Sequence, residues 1–166
     1  GATATDLEIR IAEQMINECY EVCFNGSSGY DPARREAVTK KLVNGAKRKA
    51  AILGVDAETL LAKVPGTVSM LEERRKALKV KELSFNSFYE FSIELLDIIC
   101  MENNITEIDY DKYAYMIQPF YKGGKYEKTL NEQVDTTLFN ESFIVFEVDA
   151  IKDSKELFPI VTLIIM

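Results

Sequence analysis

Apolar residues recur at helical spacing from the start of the chain. Leu7, Ile11, Met15, Ile16, Cys19, Tyr20 and Cys23 line one face, which predicts an amphipathic helix over about Asp6 to Phe24. Thr5-Asp6-Leu7-Glu8 has the capping-box pattern: the threonine hydroxyl serves the Glu8 amide and Glu8 reaches back. Asn25-Gly26-Ser27-Ser28-Gly29 ends the helix. Asp31-Pro32 then supplies a cap and a proline at the first helical position. This second helix is expected to reach about Val43, before Asn44-Gly45. Lys47–Leu53 predicts another short helix stopped by Gly54. Asp56 caps a further piece over Ala57–Lys63, with Pro65-Gly66 as its stop. Ser69-Met70-Leu71-Glu72 is a second capping box and should open a charged helix to about Lys79.

The next stretch changes character. Phe85, Phe88, Phe91, Ile93, Leu95, Leu96, Ile98 and Ile99 are too many for a narrow stripe, so the helix after Ser84 should be buried on most sides and act as a central pillar. Asn103-Asn104 ends it. A tyrosine-rich helix (Tyr110, Tyr113, Tyr115) follows from Asp109 or Asp111, broken by Pro119 and Gly123-Gly124. Lys125–Ser142 has little periodicity and reads as a connector, with Thr136–Phe139 a short strand or turn. Phe143-Ile144-Val145-Phe146-Glu147-Val148 predicts a strand at 143–148. A polar turn, Asp149–Glu156, leads to the apolar run Leu157–Met166, which lacks a polar terminating residue. With Gly1-Ala2-Thr3-Ala4-Thr5 at the other end, the pattern reads as a piece of a longer protein. The fold class expected is mainly α: a helical bundle over 1–142, then a β element over 143–166 that needs a sheet to pair with.

Charge singles out the middle. The chain carries a net −7. Asp31 to Glu82 holds 13 Lys/Arg against 7 Asp/Glu, whereas the rest holds 7 basic and 20 acidic residues. Arg34, Arg35, Lys40, Lys41, Lys47, Arg48 and Lys49 form the candidate contact face. A solvated helix surface is the competing reading. No aromatics are interleaved, so at most a weak, non-specific nucleic-acid contact is expected.

Catalytic chemistry finds little footing. Without histidine, imidazole bases and most zinc sites are excluded. Cys19 and Cys23 lie on one helix face and read as core. A phosphate-cradling loop needs Gly-x-x-x-x-Gly-Lys-Ser/Thr. Gly123-Gly124-Lys125 lacks the first glycine, and Tyr126 stands where the magnesium-binding hydroxyl belongs. Phe143–Asp149 has the outline of a strand ending in a magnesium-binding acid, but Glu147 and Asp149 are not adjacent. No catalytic, cofactor-binding or metal residue is assigned.

Phe143–Met166, with Asp6-Leu7-Glu8-Ile9-Arg10, Phe85-Asn86-Ser87-Phe88-Tyr89-Glu90-Phe91 and Phe120-Tyr121-Lys122-Gly123-Gly124-Lys125-Tyr126, resembles TraG-type conjugative-transposon ATPases, which are similar to the VirB-class ATPases of type IV secretion systems. The resemblance implies a RecA-like nucleotide-binding core interrupted by a helical insertion. Residues 1–142 would be that insertion, and 143–148 the strand where the chain re-enters the core. ATP and magnesium would be held by the parent, whose P-loop lies upstream and whose acidic strand lies downstream. It implies a bacterial cytoplasmic location at the inner face of the membrane. The implied partners are the rest of the ATPase and other secretion-channel components. No run in the sequence approaches the roughly 20 apolar residues of a membrane span. The apolar end predicts self-association. The alternative is a free-standing helical protein-interaction adaptor.

Overall fold

The computed structural model describes residues 6–130. The Thr5 cap, the 136–139 element, the strand at 143–148 and the boundary at 142/143 lie outside the described residues. Among the described residues every regular element is a helix, as the periodicity predicts. The chain divides into two compact units.

The first unit takes 6–26, Lys79–Leu96 and 109–130. Helix α1 (Asp6–Asn25) buries Ile11, Met15 and Cys19 of the expected stripe, together with Ala12, while Leu7, Ile16, Tyr20 and Cys23 are half-buried. Helix α5 (Phe85–Asn103) begins here. Ser84 caps it, its hydroxyl accepting the Ser87 amide at 3.2 Å. Phe85, Phe88, Phe91, Leu95 and Leu96 are buried. Helix α6 (Tyr110–Ile117) starts at Asp109, whose carboxylate accepts the Lys112 amide at 3.0 Å. A 3-10 turn, Gln118–Phe120, and the short helix α7 (Glu127–Leu130) follow. Rings hold these pieces together. The Phe120 centroid lies 5.7 Å from that of Phe85 and 5.7 Å from that of Tyr126. Tyr113 is buried and donates to the Ser92 hydroxyl at 2.8 Å.

The second unit takes Ser27–Leu78 and Asp97–Ile108, so the expected pillar contributes its first part to one unit and its last turns to the other. Helix α2 spans Pro32–Leu53 without a break, and the expected split at Asn44-Gly45 is corrected. Gly45 stays helical because Asn104 lies against it: a Cβ there would collide with the Asn104 carboxamide. That carboxamide donates to the Lys41 carbonyl at 2.6 Å. The contact offsets the roughly 1 kcal/mol helix cost of glycine. Gly54, at φ +68°, ends α2 as expected, with the Val55 amide donating to the Ala50 carbonyl at 3.0 Å.

Helix α3 (Ala57–Ala62) is capped by Asp56 as read. Helix α4 (Val64–Lys76) then begins at once, and two expectations are corrected. Pro65-Gly66 does not stop a helix. Pro65 sits in the first turn of α4, where its missing N–H has no partner to lose. Ser69 is therefore interior and caps nothing. The helix also ends at Lys76 rather than Lys79.

Candidate contact face

Helix α2 places the seven cations, and its sequence explains why it is the basic element. Asp31 accepts the Arg34 amide at 2.7 Å, and Pro32 follows in the first turn. Beyond that cap Glu36 is the only acid in the helix. The cations do not share one role. Arg35 donates to Glu72 at 2.5 Å. Arg34 lies 5.8 Å from the Tyr30 ring centre. Lys41 donates to Asn103 at 2.6 Å. Lys49 stands beside Leu42, Gly45, Leu60 and Lys63 at a cavity of about 180 Å³.

Lys40, Lys47 and Arg48 are exposed and make no ion pair or hydrogen bond among the described residues. At 3.6 residues per turn, Lys40 and Lys47 align along one edge of a solvent-facing strip, and Lys41 and Arg48 along the other. Ala33, Ala37, Asn44 and Ala51 lie between them, all exposed. Ile52, 84% exposed, borders the strip one turn beyond Arg48, and Leu53 and Val55, 58% and 54% exposed, lie at the end of the helix and just past its cap. Apolar side chains so open, next to cations without partners, distinguish this surface from an ordinary solvated face.

Other cations of this unit, on α4, are committed to carboxylates. Arg75 makes a two-point contact with Glu102, Nε to Oε2 at 2.9 Å and Nη2 to Oε1 at 2.6 Å, with both side chains buried. The Tyr30 hydroxyl donates to the same carboxylate at 2.5 Å. Burial, and then the Glu102 carboxylate, push the Tyr30 hydroxyl well above its ordinary pKa. Glu72 accepts the Tyr30 amide at 2.9 Å. That bond first, and Arg35 after it, hold the Glu72 carboxyl below its ordinary value against the opposing effect of burial. Arg74 reaches Asp97 at 2.7 Å. This network was missed from sequence. Its signal was Glu102, an acid one turn beyond Ile98 and Ile99 in the most apolar helix.

The Gly123-Gly124-Lys125 segment, in the first unit, is built as a turn. The amides of Lys122, Gly123, Gly124 and Tyr126 donate to Asn86 (2.9 Å), Glu127 (3.0 Å), the Tyr121 carbonyl (2.8 Å) and the Pro119 carbonyl (2.8 Å). Gly123 has φ +82°. A Cβ on Gly124 would strike the Pro119 and Gln118 carbonyls, so both glycines serve the turn. Lys125 lies over the Tyr126 ring at 5.3 Å. Four amides that could wrap a phosphate are thus occupied, one by a carboxylate. Cys19 is buried, and that burial, with Cys23 adding to it, pushes its thiol up to about 12. Such a thiol is a core residue, not a nucleophile.

Among the described residues no helix is long and apolar enough to cross a membrane. Comparison with curated proteins and with solved structures gives no match. The profile of the TraG P-loop domain matches residues 24–166, which include the whole of α2, the buried network and the Gly123-Gly124 turn. The chain therefore belongs to the TraG P-loop domain family, a family of conjugation-related ATPases.

Proposed function

We propose that this chain supplies the helical insertion of a TraG-type ATPase and acts through contact rather than through a nucleotide site of its own. ATP and magnesium are held by the RecA-like core of the parent, which powers conjugative DNA transfer or assembly of the transfer channel. The insertion meets that core, a neighbouring subunit or another channel component through the exposed strip of α2. The observation that carries the reading is the division of charge. Arg35, Arg74 and Arg75 are committed to internal carboxylates, while Lys40, Lys47 and Arg48 stand open beside exposed Ile52. The occupied amides of the Gly123 turn support the second half of the reading.

The test is made in the whole ATPase. Lys40→Glu/Lys47→Glu/Arg48→Glu should leave ATP turnover within about twofold of wild type and lower conjugative transfer at least tenfold. Undiminished transfer would contradict the contact reading.

A further inference from the structure

The exposed faces of α1 and α2 carry the same spacing with opposite charge. On α1 the solvent side presents Glu13, Asn17, Glu21 and Phe24. On α2 it presents Lys40, Asn44, Arg48 and Ala51, with Ile52 beside it. In each helix the steps are four, four and three residues. Glu13, Glu21, Lys40 and Arg48 are exposed and make no ion pair or hydrogen bond among the described residues. Phe24 is 70% exposed and Ile52 84%, so each strip also ends in an uncovered apolar side chain.

Laid side by side and parallel, the two helices match at every level. Glu13 meets Lys40, Asn17 meets Asn44, Glu21 meets Arg48, and Phe24 seats on Ala51 against Ile52. The two acids and the two bases are each separated by about 12 Å of helix. The small side chains of Ala37, Asn44 and Ala51 allow close approach, and Arg10 falls opposite Ala37 rather than opposite a cation. An antiparallel arrangement also pairs the charges, but it separates Phe24 from Ile52 and leaves both apolar ends in water. Phosphates would account for the cations of α2. They would account for neither the exposed aliphatic end nor the matching acidic helix.

The parallel register cannot form within one chain. It sets Pro32 at the level of residue 5, about 30 Å along α1 from Asn25. The connection from Asn25 to Pro32 spans at most about 25 Å when fully extended. We infer that the strip on α2 is occupied by α1 of a second copy of this chain, in a parallel contact. The inference rests on the reading of α2 as the contact face and names its partner. Because the two surfaces differ, each copy carries one donor helix and one acceptor helix, and association either closes as a reciprocal pair or extends to a ring or filament.

Sedimentation equilibrium on this chain at low salt tests it. Wild type should show concentration-dependent association that weakens as salt screens the pairs. Glu13→Lys/Glu21→Lys should lose this salt-sensitive association, and so should Lys40→Glu/Arg48→Glu, each with unchanged helical circular dichroism. An equimolar mixture of the two variants should associate again, because each basic α1 then finds an acidic α2. A chain carrying all four reversals should also associate. A monomeric wild type, salt-sensitive association that survives either reversal, or failure of the mixture to regain it would overturn the inference. If Lys40→Glu/Arg48→Glu impairs conjugative transfer while wild type stays monomeric, the contact-face reading stands and only this partner is wrong.

Discussion

The first unit buries rings and aliphatic chains: Phe85, Phe91, Leu95, Phe120 and Met15 are closed off from solvent. Its one described buried side-chain hydrogen bond between elements, Tyr113 to Ser92, joins two neutral hydroxyls. The second unit buries a guanidinium and a carboxylate, with a tyrosine hydroxyl completing the set. The difference separates two sources of order. Apolar burial is favourable and largely indifferent to partner identity. A buried ion pair repays its desolvation only when both partners and their remaining hydrogen bonds are present, so it specifies one arrangement more than it adds stability.

Single substitutions should expose that contrast. Phe91→Ala in the first unit should cost about 3–5 kcal/mol, read by urea denaturation, because it empties a closed site. A loss below about 1 kcal/mol would mean that α5 is not a core element. Glu102→Ala in the second unit should cost a similar ~3–5 kcal/mol by leaving Arg75 buried and unpaired. The double change Arg75→Met/Glu102→Leu should recover most of that loss, since apolar side chains of similar size remove both desolvation costs. If the double variant is as unstable as Glu102→Ala, the pair is a true source of stability and the contrast fails.

Smaller effects sharpen it. Tyr113→Phe should cost about 0.5–1.5 kcal/mol, the value of one neutral hydrogen bond. Amide hydrogen exchange should show the loss in α5 and α6. Glu72 gives the pH arm. Its folded pKa lies below the ordinary 4.5, so the folded chain binds fewer protons than the unfolded chain in that range. Its contribution is complete above pH 4.5 and is lost as pH falls through the depressed value. Glu72→Gln should flatten that part of the acid stability curve without changing the plateau's slope near neutrality. An unchanged acid limb would mean that Tyr30 and Arg35 do not hold the carboxylate in solution.

What could be read in the sequence follows the same division. Ile11, Met15 and Cys19 of the α1 stripe, the Asp31, Asp56 and Ser84 caps and the buried α5 all come from local pattern and stand in the structure, and of the two starts read for α6 the structure takes Asp109. The misread places depend on contacts distant along the chain. Gly45 looked like a helix end because its partner, Asn104, lies 59 residues on. Glu72 looked like the far end of a capping box because Tyr30 and Arg35 come from another helix and its approach. Pro65 was read as a stop although it is equally suited to a first turn. Of the seven cations proposed for the contact face, charge alone could not separate Arg35, which pairs internally, from Lys40, Lys47 and Arg48, which stay open.

The central claim is that this chain acts by contact and leaves nucleotide to the parent core. Isothermal calorimetry of the chain with ATP and magnesium tests it directly, beside the same titration on the whole ATPase. The account predicts binding heat for the whole enzyme and none for this chain, because the amides of Lys122, Gly123, Gly124 and Tyr126 are already taken. Stoichiometric micromolar binding to the chain alone, abolished by Lys125→Ala, would contradict it.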